Sequence, residues 1–362
     1  MNSHLFTTYQ LGHMHLQNRI IMAPMTRSRA VGNIPNTLMA KYYSQRASAG
    51  LIITEAIAVS PNALGYANIP GIFTEEQVNG WKLVTKAVHK GGGRIFAQLI
   101  HTGRIGHVAN LPAGGVILAP SAVRADGQIW TNEEMKEHGQ PKVMSIADIN
   151  NVLKEFTEAA KNAIEAGFDG VELHGANGYL LEQFLSPFTN LRTDDYGGSI
   201  EKRIRIVHET VSAVSGAIGP DKVGLRLSPF SLANDMTVYS DTTETYLGVA
   251  RKVNDIGIAY LHILENGEGA IPRALKKEIG KTFTQTIILA GNYDRDRAED
   301  DIRSGLGNLI AFGRPFINNP DLVTRFRNNW PLSDNLDSST FYNGDEKGYL
   351  DYRPYQDSAI AV

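Results

Sequence analysis

Short apolar runs alternate with amphipathic stretches along almost the whole chain, and this alternation limits the fold more than any other feature. Eight runs read as strands: Arg19–Met25, Leu51–Glu55, Arg94–Gln98, Gly170–His174, Val223–Ser228, Ala259–Ile263, Thr286–Ala290 and Leu309–Gly313. They are short and rich in Ile, Val and Leu, as strands buried on both faces of a parallel sheet must be. The stretches between them carry helix-start signals. Thr74 with Gln77 and Ser145 with Asp148 predict capping boxes, and Asp241 with Glu244 predicts a third. Strand and helix repeated eight times require parallel strands joined by crossovers, and a closed α/β barrel is the simplest such object at 362 residues. A doubly wound open sheet is the alternative. No G-x-G-x-x-G follows the first strand, which counts against a dinucleotide-binding version of that fold.

The expectation is therefore one (β/α)8 domain over residues 1–362 with three additions. Residues 1–18 form a hairpin around Gly12 that caps the barrel bottom. Residues 103–143 make a long Gly-, Pro- and Ala-containing excursion after the third strand, over the active-site face. Residues 330–362 form a C-terminal tail. Without cysteine, there are no disulfides, thiolate nucleophiles or Cys-held metal centres. A net charge of −3 without like-charge blocks lacks the footprint of a nucleic-acid binder. No leader or membrane span is readable, so the expected setting is the cytoplasm.

Side-chain alternation singles out polar residues on inward-facing positions. In Val171-Glu172-Leu173-His174 the apolar pair faces the outer helices and Glu172 and His174 face inward; the same logic sends Gln98 and Arg226 inward. A barrel interior is normally aliphatic, and an unpaired charge there costs several kcal/mol, so these residues need partners or a ligand. One reading is a self-satisfied network in which Glu172 pairs with Arg226 and His174 is structural. The other is a ligand site at the strand C-termini, where barrel active sites form.

The run His174-Gly175-Ala176-Asn177-Gly178-Tyr179-Leu180-Leu181, followed by Gln183-Phe184-Leu185-Ser186-Pro187, resembles the Old Yellow Enzyme family. So do Ala23-Pro24-Met25-Thr26-Arg27, Gln98 with His101-Thr102-Gly103-Arg104, Arg226-Leu227-Ser228-Pro229 and Phe312-Gly313-Arg314-Pro315, in order along nearly the whole chain. The likeness is to the classical branch and is similar to N-ethylmaleimide reductases. It implies a (β/α)8 TIM barrel with non-covalent FMN. Hydride would pass from NADPH or NADH to FMN and on to the β-carbon of an electron-poor alkene, in ping-pong turnover.

Residue by residue, the resemblance implies that Ala23, Pro24, Met25, Thr26, Ala56, Gln98 and Arg226 hold the flavin ring. Arg226 supplies a permanent positive charge at its pyrimidine edge, and Gly291, Asn292, Gly313 and Arg314 hold the phosphate. His174 and Asn177 would bind the substrate oxygen and Tyr179 would protonate the α-carbon, with Tyr66, Ile100 and Tyr342 as pocket walls.

The chain departs from the family pattern in three ways. Ile100 stands where many members have tryptophan, Lys202 replaces a common asparagine, and the segment after Pro229 is short. Thr26 in a cysteine-free chain is unlike the branch that places a thiol beside the flavin. Reduction of nitroesters, nitro compounds or quinones is the alternative activity on the same fold and cofactor. A Schiff-base lyase lacks a strand-end lysine. A metal hydrolase would have to be assembled from Glu172, His174 and His262, and a flavin-storage protein would have no use for Tyr179.

Overall fold

The computed structural model describes residues 3–265 and 271–355; residues 356–362 of the expected tail lie outside the described residues. An N-terminal hairpin pairs β1 (Tyr9–Leu11) with β2 (Met14–Leu16). The barrel strands follow as β3 (Ile20–Met22), β4 (Leu51–Ala58) and β5 (Ile95–Ile100). The excursion carries four short strands, β6 (Leu118–Ala119), β7 (Gln128–Trp130), β8 (Met135–Glu137) and β9 (Lys142–Val143). The remaining barrel strands are β10 (Gly170–Gly175), β11 (Val223–Leu227), β12 (Tyr260–Leu264), β13 (Thr286–Ala290) and β14 (Leu309–Phe312). Their order is β10-β11-β12-β13-β14-β3-β4-β5, closed on itself, and every pair is parallel. All eight expected strands form, and the open-sheet alternative is excluded by closure.

Two apolar layers result from the alternation. Outward-facing Val171, Leu173, Leu225 and Ile263 share a cluster with helix residues such as Phe156, Val207 and Val253. Inward-facing Leu51, Ile53, Phe96, Tyr260, Ile288 and Leu309 fill the lower barrel and meet Leu11, Met14 and Leu16 of the hairpin beneath them. Glycine makes room for the two rings: a Cβ on Gly170 would lie 2.4 Å from the Phe96 ring, and one on Gly224 2.1 Å from that of Tyr260. At Gly12, which turns the hairpin at φ +53°, a side chain would strike the Asp221 carbonyl.

Both Thr74–Gln77 and Ser145–Asp148 form full capping boxes at the starts of the helices Glu75–Lys90 and Ile146–Glu165. The third expected box does not form. Asp241 precedes the helix Thr242–Ile256 but makes no side-chain cap. Its carboxylate pairs instead with the buried Arg203 guanidinium at 2.5 Å, a charged donor that outcompetes an amide.

Candidate active site

The C-terminal ends of the strands surround a cavity of about 780 Å³. Pro24, Met25 and Thr26 reach it from the end of β3, Ala56 from β4, Gln98 from β5, His174 from β10 and Arg226 from β11. Asn177 and Tyr179 come from the turn after β10, and Gly313 and Arg314 from the end of β14. A bulge delivers Ala56: the β4–β5 register slips between Ile53 and Ala56, so Ala56 aligns with Gln98. Thr54 in the bulge accepts the Gln98 backbone N–H at 3.1 Å.

The polar layer beneath the cavity is connected, but not as the sequence suggested. Gln98 Nε2 donates to Glu172 Oε1 at 2.7 Å, and the other carboxylate oxygen pairs with His262 Nδ1 at 2.8 Å. Glu172 and His262 are both fully buried. The Glu172–Arg226 pair of the self-satisfied alternative does not form. In the parallel register Arg226 faces His174 and His262, while Glu172 faces Gly224, one side chain lower. Arg226 is buried and its Nε has no hydrogen-bond partner among the described residues. A buried guanidinium N–H lining a cavity and left unsatisfied calls for an acceptor from a ligand. The space before Gly313 is also open among the described residues: a Cβ there would meet the Met25 side chain, at 3.6 Å from its sulfur. With Arg314 adjacent, this is room and charge for an anion. The unsatisfied donor, the Gln98 amide and this open cationic corner fit FMN.

The opposite wall is built on a tight turn. Asn177 and Gly178 both have positive φ, +56° and +75°, and the turn is held from below. Asn177 N–H donates to Ser228 Oγ at 2.8 Å, Gly178 N–H to Glu182 at 2.6 Å, and Ser228 Oγ to Glu182 at 2.8 Å. Asn234 Nδ2 binds the Asn177 carbonyl at 2.7 Å. Burial pushes the Glu182 carboxyl up to about 7, against the pull of these donors. Ser228 and Pro229 were visible as a motif, but the parts of Glu182 and Asn234 were not, since they lie on different elements.

His174 Nδ1 accepts the Ala176 N–H at 3.3 Å, so the ring proton sits on Nε2. Burial, and then the Arg226 charge, push this imidazole well below its ordinary range, so it is a neutral donor. Its ring stands edge-on to Tyr179, 4.8 Å away. The Tyr179 and Tyr66 hydroxyls lie 3.0 Å apart, and burial raises both phenols above the ordinary range.

Most of the residues expected at the site come together here, including Tyr66 and, at the mouth, Tyr342. Four stand apart from the cavity surface. Ile100 is 1 % exposed inside the barrel wall, and Ala23 is buried below Pro24. Gly291 and Asn292 follow β13, the neighbour of β14, and the Gly291 carbonyl is bound to Arg297. The excursion expected over the active-site face supplies one wall, through residues that carry no motif. The β7–β8 hairpin places Ile129, Trp130 and Met135 over the cavity. Asn68 bridges it to the C-terminal loop, donating to Asn132 at 3.1 Å and Asn343 at 3.2 Å. Phe341, Tyr342 and Asn343 complete the rim.

No group of three or more His, Asp or Glu side chains among the described residues is arranged to hold a metal; Glu172 and His262 are engaged with each other. Nor is any described helix long and apolar enough to cross a membrane.

Residues 4–333 match the model of the NADH:flavin oxidoreductase / NADH oxidase family. The chain is 40% identical over 358 residues to 12-oxophytodienoate reductase 1 of Oryza sativa subsp. japonica, covering 96% of this chain and 92% of that protein. Among solved structures it is similar to morphinone reductase, with a TM-score of 0.95 and 42% identity over 99% of this chain and 98% of that one. It is also similar to the Old Yellow Enzyme homologue from Zymomonas mobilis, with a TM-score of 0.92 and 39% identity over 96% and 99% of the two chains.

Proposed function

Starting from a chain that belongs to the NADH:flavin oxidoreductase / NADH oxidase family, we propose how its own residues divide the work. The protein is an FMN-dependent ene-reductase that draws electrons from NAD(P)H and reduces activated C=C bonds. FMN supplies hydride chemistry when bound; the residues around it bind, orient and protonate.

Arg226 and Gln98 hold the pyrimidine edge of the ring, and Arg226 offsets negative charge that builds there. Arg314, beside the open corner at Gly313, holds the phosphate. Pro24, Met25, Thr26 and Ala56 lie along the rest of the cavity floor, with Thr26 offering its hydroxyl to a ring carbonyl.

His174 Nε2–H and Asn177 bind the oxygen that activates the alkene. Their bonds strengthen as that oxygen gains charge, and a preorganised donor of this kind contributes about 3–4 kcal/mol. Tyr179 gives its proton to the α-carbon. The phenol is held protonated by burial, as a general acid must be. The observation that carries this reading is the unsatisfied Arg226 at the bottom of a cavity whose wall presents His174, Asn177 and Tyr179 together.

The substrates it favours are α,β-unsaturated carbonyls, maleimides and nitroalkenes, small enough to enter beneath Trp130 and Tyr342. The demand for reduced nicotinamide nucleotide supports a cytoplasmic setting. The test is anaerobic: FMN-loaded protein is reduced with NADPH or NADH and then mixed with 2-cyclohexenone. Return of the oxidised flavin spectrum with formation of cyclohexanone is expected. A flavin that stays reduced refutes the assignment for enones.

A further inference from the structure

Glu172 does not line the cavity and has been given no role of its own, yet it is a fully buried carboxylate hydrogen-bonded to Gln98, which does line it. We infer that Glu172 is a positioning residue for the flavin: it fixes which end of the Gln98 amide faces the ring and sets the electrical balance felt by Arg226. The inference deepens the proposed function and rests on the reading of Gln98 and Arg226 as ring contacts.

The first part follows from donor chemistry. An ionised carboxylate only accepts hydrogen bonds, so the Gln98 group that meets Glu172 Oε1 at 2.7 Å is the amide NH2. Oε1 of Gln98 is thereby left as the end available to the cavity that Gln98 lines. A flavin imide N–H needs such an acceptor. His262 fastens the other carboxylate oxygen at 2.8 Å from strand β12, so Glu172 is gripped from two strands and cannot turn away from Gln98.

The second part follows from what Glu172 does not do. It makes no ion pair with Arg226, the cation one register step above on the neighbouring strand. Both are buried, so the carboxylate acts on Arg226 and on the ring through a poorly screened field rather than by contact. His262, Arg226 and Gln98 favour the ionised carboxylate against its burial. The site thus holds a cation near the ring and an anion one layer deeper. Removing the anion leaves Arg226 unopposed and favours negative charge on the ring above it.

The experiment is a spectroelectrochemical titration of the bound FMN in wild type, Glu172→Gln and Glu172→Asp. Glu172→Gln is expected to raise the midpoint potential, and Glu172→Asp, which keeps the charge, to stay near wild type. A wild-type potential in FMN-loaded Glu172→Gln overturns the inference. So does an equal rise in both variants, which would mean packing rather than charge.

If Glu172→Gln does not retain FMN, Glu172→Asp decides. Its shortened carboxylate loses its hold on Gln98, and FMN should bind about tenfold more weakly, the effect of one hydrogen bond. Wild-type affinity there overturns the inference. Gln98→Leu separates the underlying reading: unchanged FMN affinity and potential in that variant would remove Gln98 from the ring, a failure distinct from that of Glu172.

Discussion

The hydroxyls of Tyr66 and Tyr179 meet at 3.0 Å on the cavity wall, one from the segment after β4 and one from the turn after β10. A phenol that gives up its proton becomes an anion, and the neighbouring hydroxyl can donate to it at that moment. Tyr179→Phe should slow alkene reduction about a hundredfold or more while sparing FMN reduction by NAD(P)H. Tyr66→Phe should slow the same half-reaction about tenfold, the worth of one hydrogen bond to a developing charge. Stopped-flow measurement of the two half-reactions separates them, and an equal loss in both would eliminate the proton-donor role.

His174 should remain neutral, with its proton on Nε2, at pH values just below the ordinary imidazole value of 6.5, because burial and Arg226 both oppose a second charge. The 15N shifts of the ring report this directly; an imidazolium at pH 6 would contradict it. Replacing both His174 and Asn177 by Ala should abolish the long-wavelength charge-transfer band of bound phenols, and a band that persists would show that the oxygen is held elsewhere.

Arg314→Ala should weaken FMN binding about 10- to 100-fold, as expected for losing a charge-assisted bond, yet leave riboflavin binding unchanged. Fluorescence titration with both ligands checks this. An equal loss for riboflavin would mean that Arg314 shapes the cavity rather than binding the phosphate.

His101 is buried, which pushes its imidazole down to about 3 from the ordinary 6.5. Below pH 6.5 the unfolded chain takes up a proton that the folded chain refuses, so this group costs stability as the pH falls. The slope is about 1.4 kcal/mol per pH unit until about pH 3. Between pH 6.5 and 5, urea unfolding should show wild type losing about 2 kcal/mol more than His101→Asn. Parallel curves would refute the shift.

The barrel was legible in the sequence because a strand buried on both faces has little choice but Ile, Val and Leu, and because period-two alternation then exposes any polar residue turned inward. That alternation alone singles out Gln98, His174 and Arg226. Their wiring was not legible. Whether Glu172 meets Arg226 or Gln98 depends on the stagger between β5, β10 and β11, and no single strand encodes a stagger.

The excursion was expected over the active-site face, but its β7–β8 hairpin and lining residues were not legible, for a different reason. Strands of three residues with exposed flanks carry no hydrophobic period, so Trp130 and Met135 looked like loop residues. The missing cap at Asp241 has the same origin as the wiring: Arg203, distant in sequence, claims the side chain.

Arg27 and Arg29 hold the C-terminal rim almost entirely by its main chain, donating to the carbonyls of Thr340, Phe341, Asp345, Lys347 and Gly348. A carbonyl is the same in every residue. The anchoring is therefore indifferent to which side chains Phe341 and Tyr342 carry, although both line the cavity. The rim behaves as an interchangeable faceplate: its chemistry can drift from one alkene to another without renegotiating the bolts that keep it on the barrel.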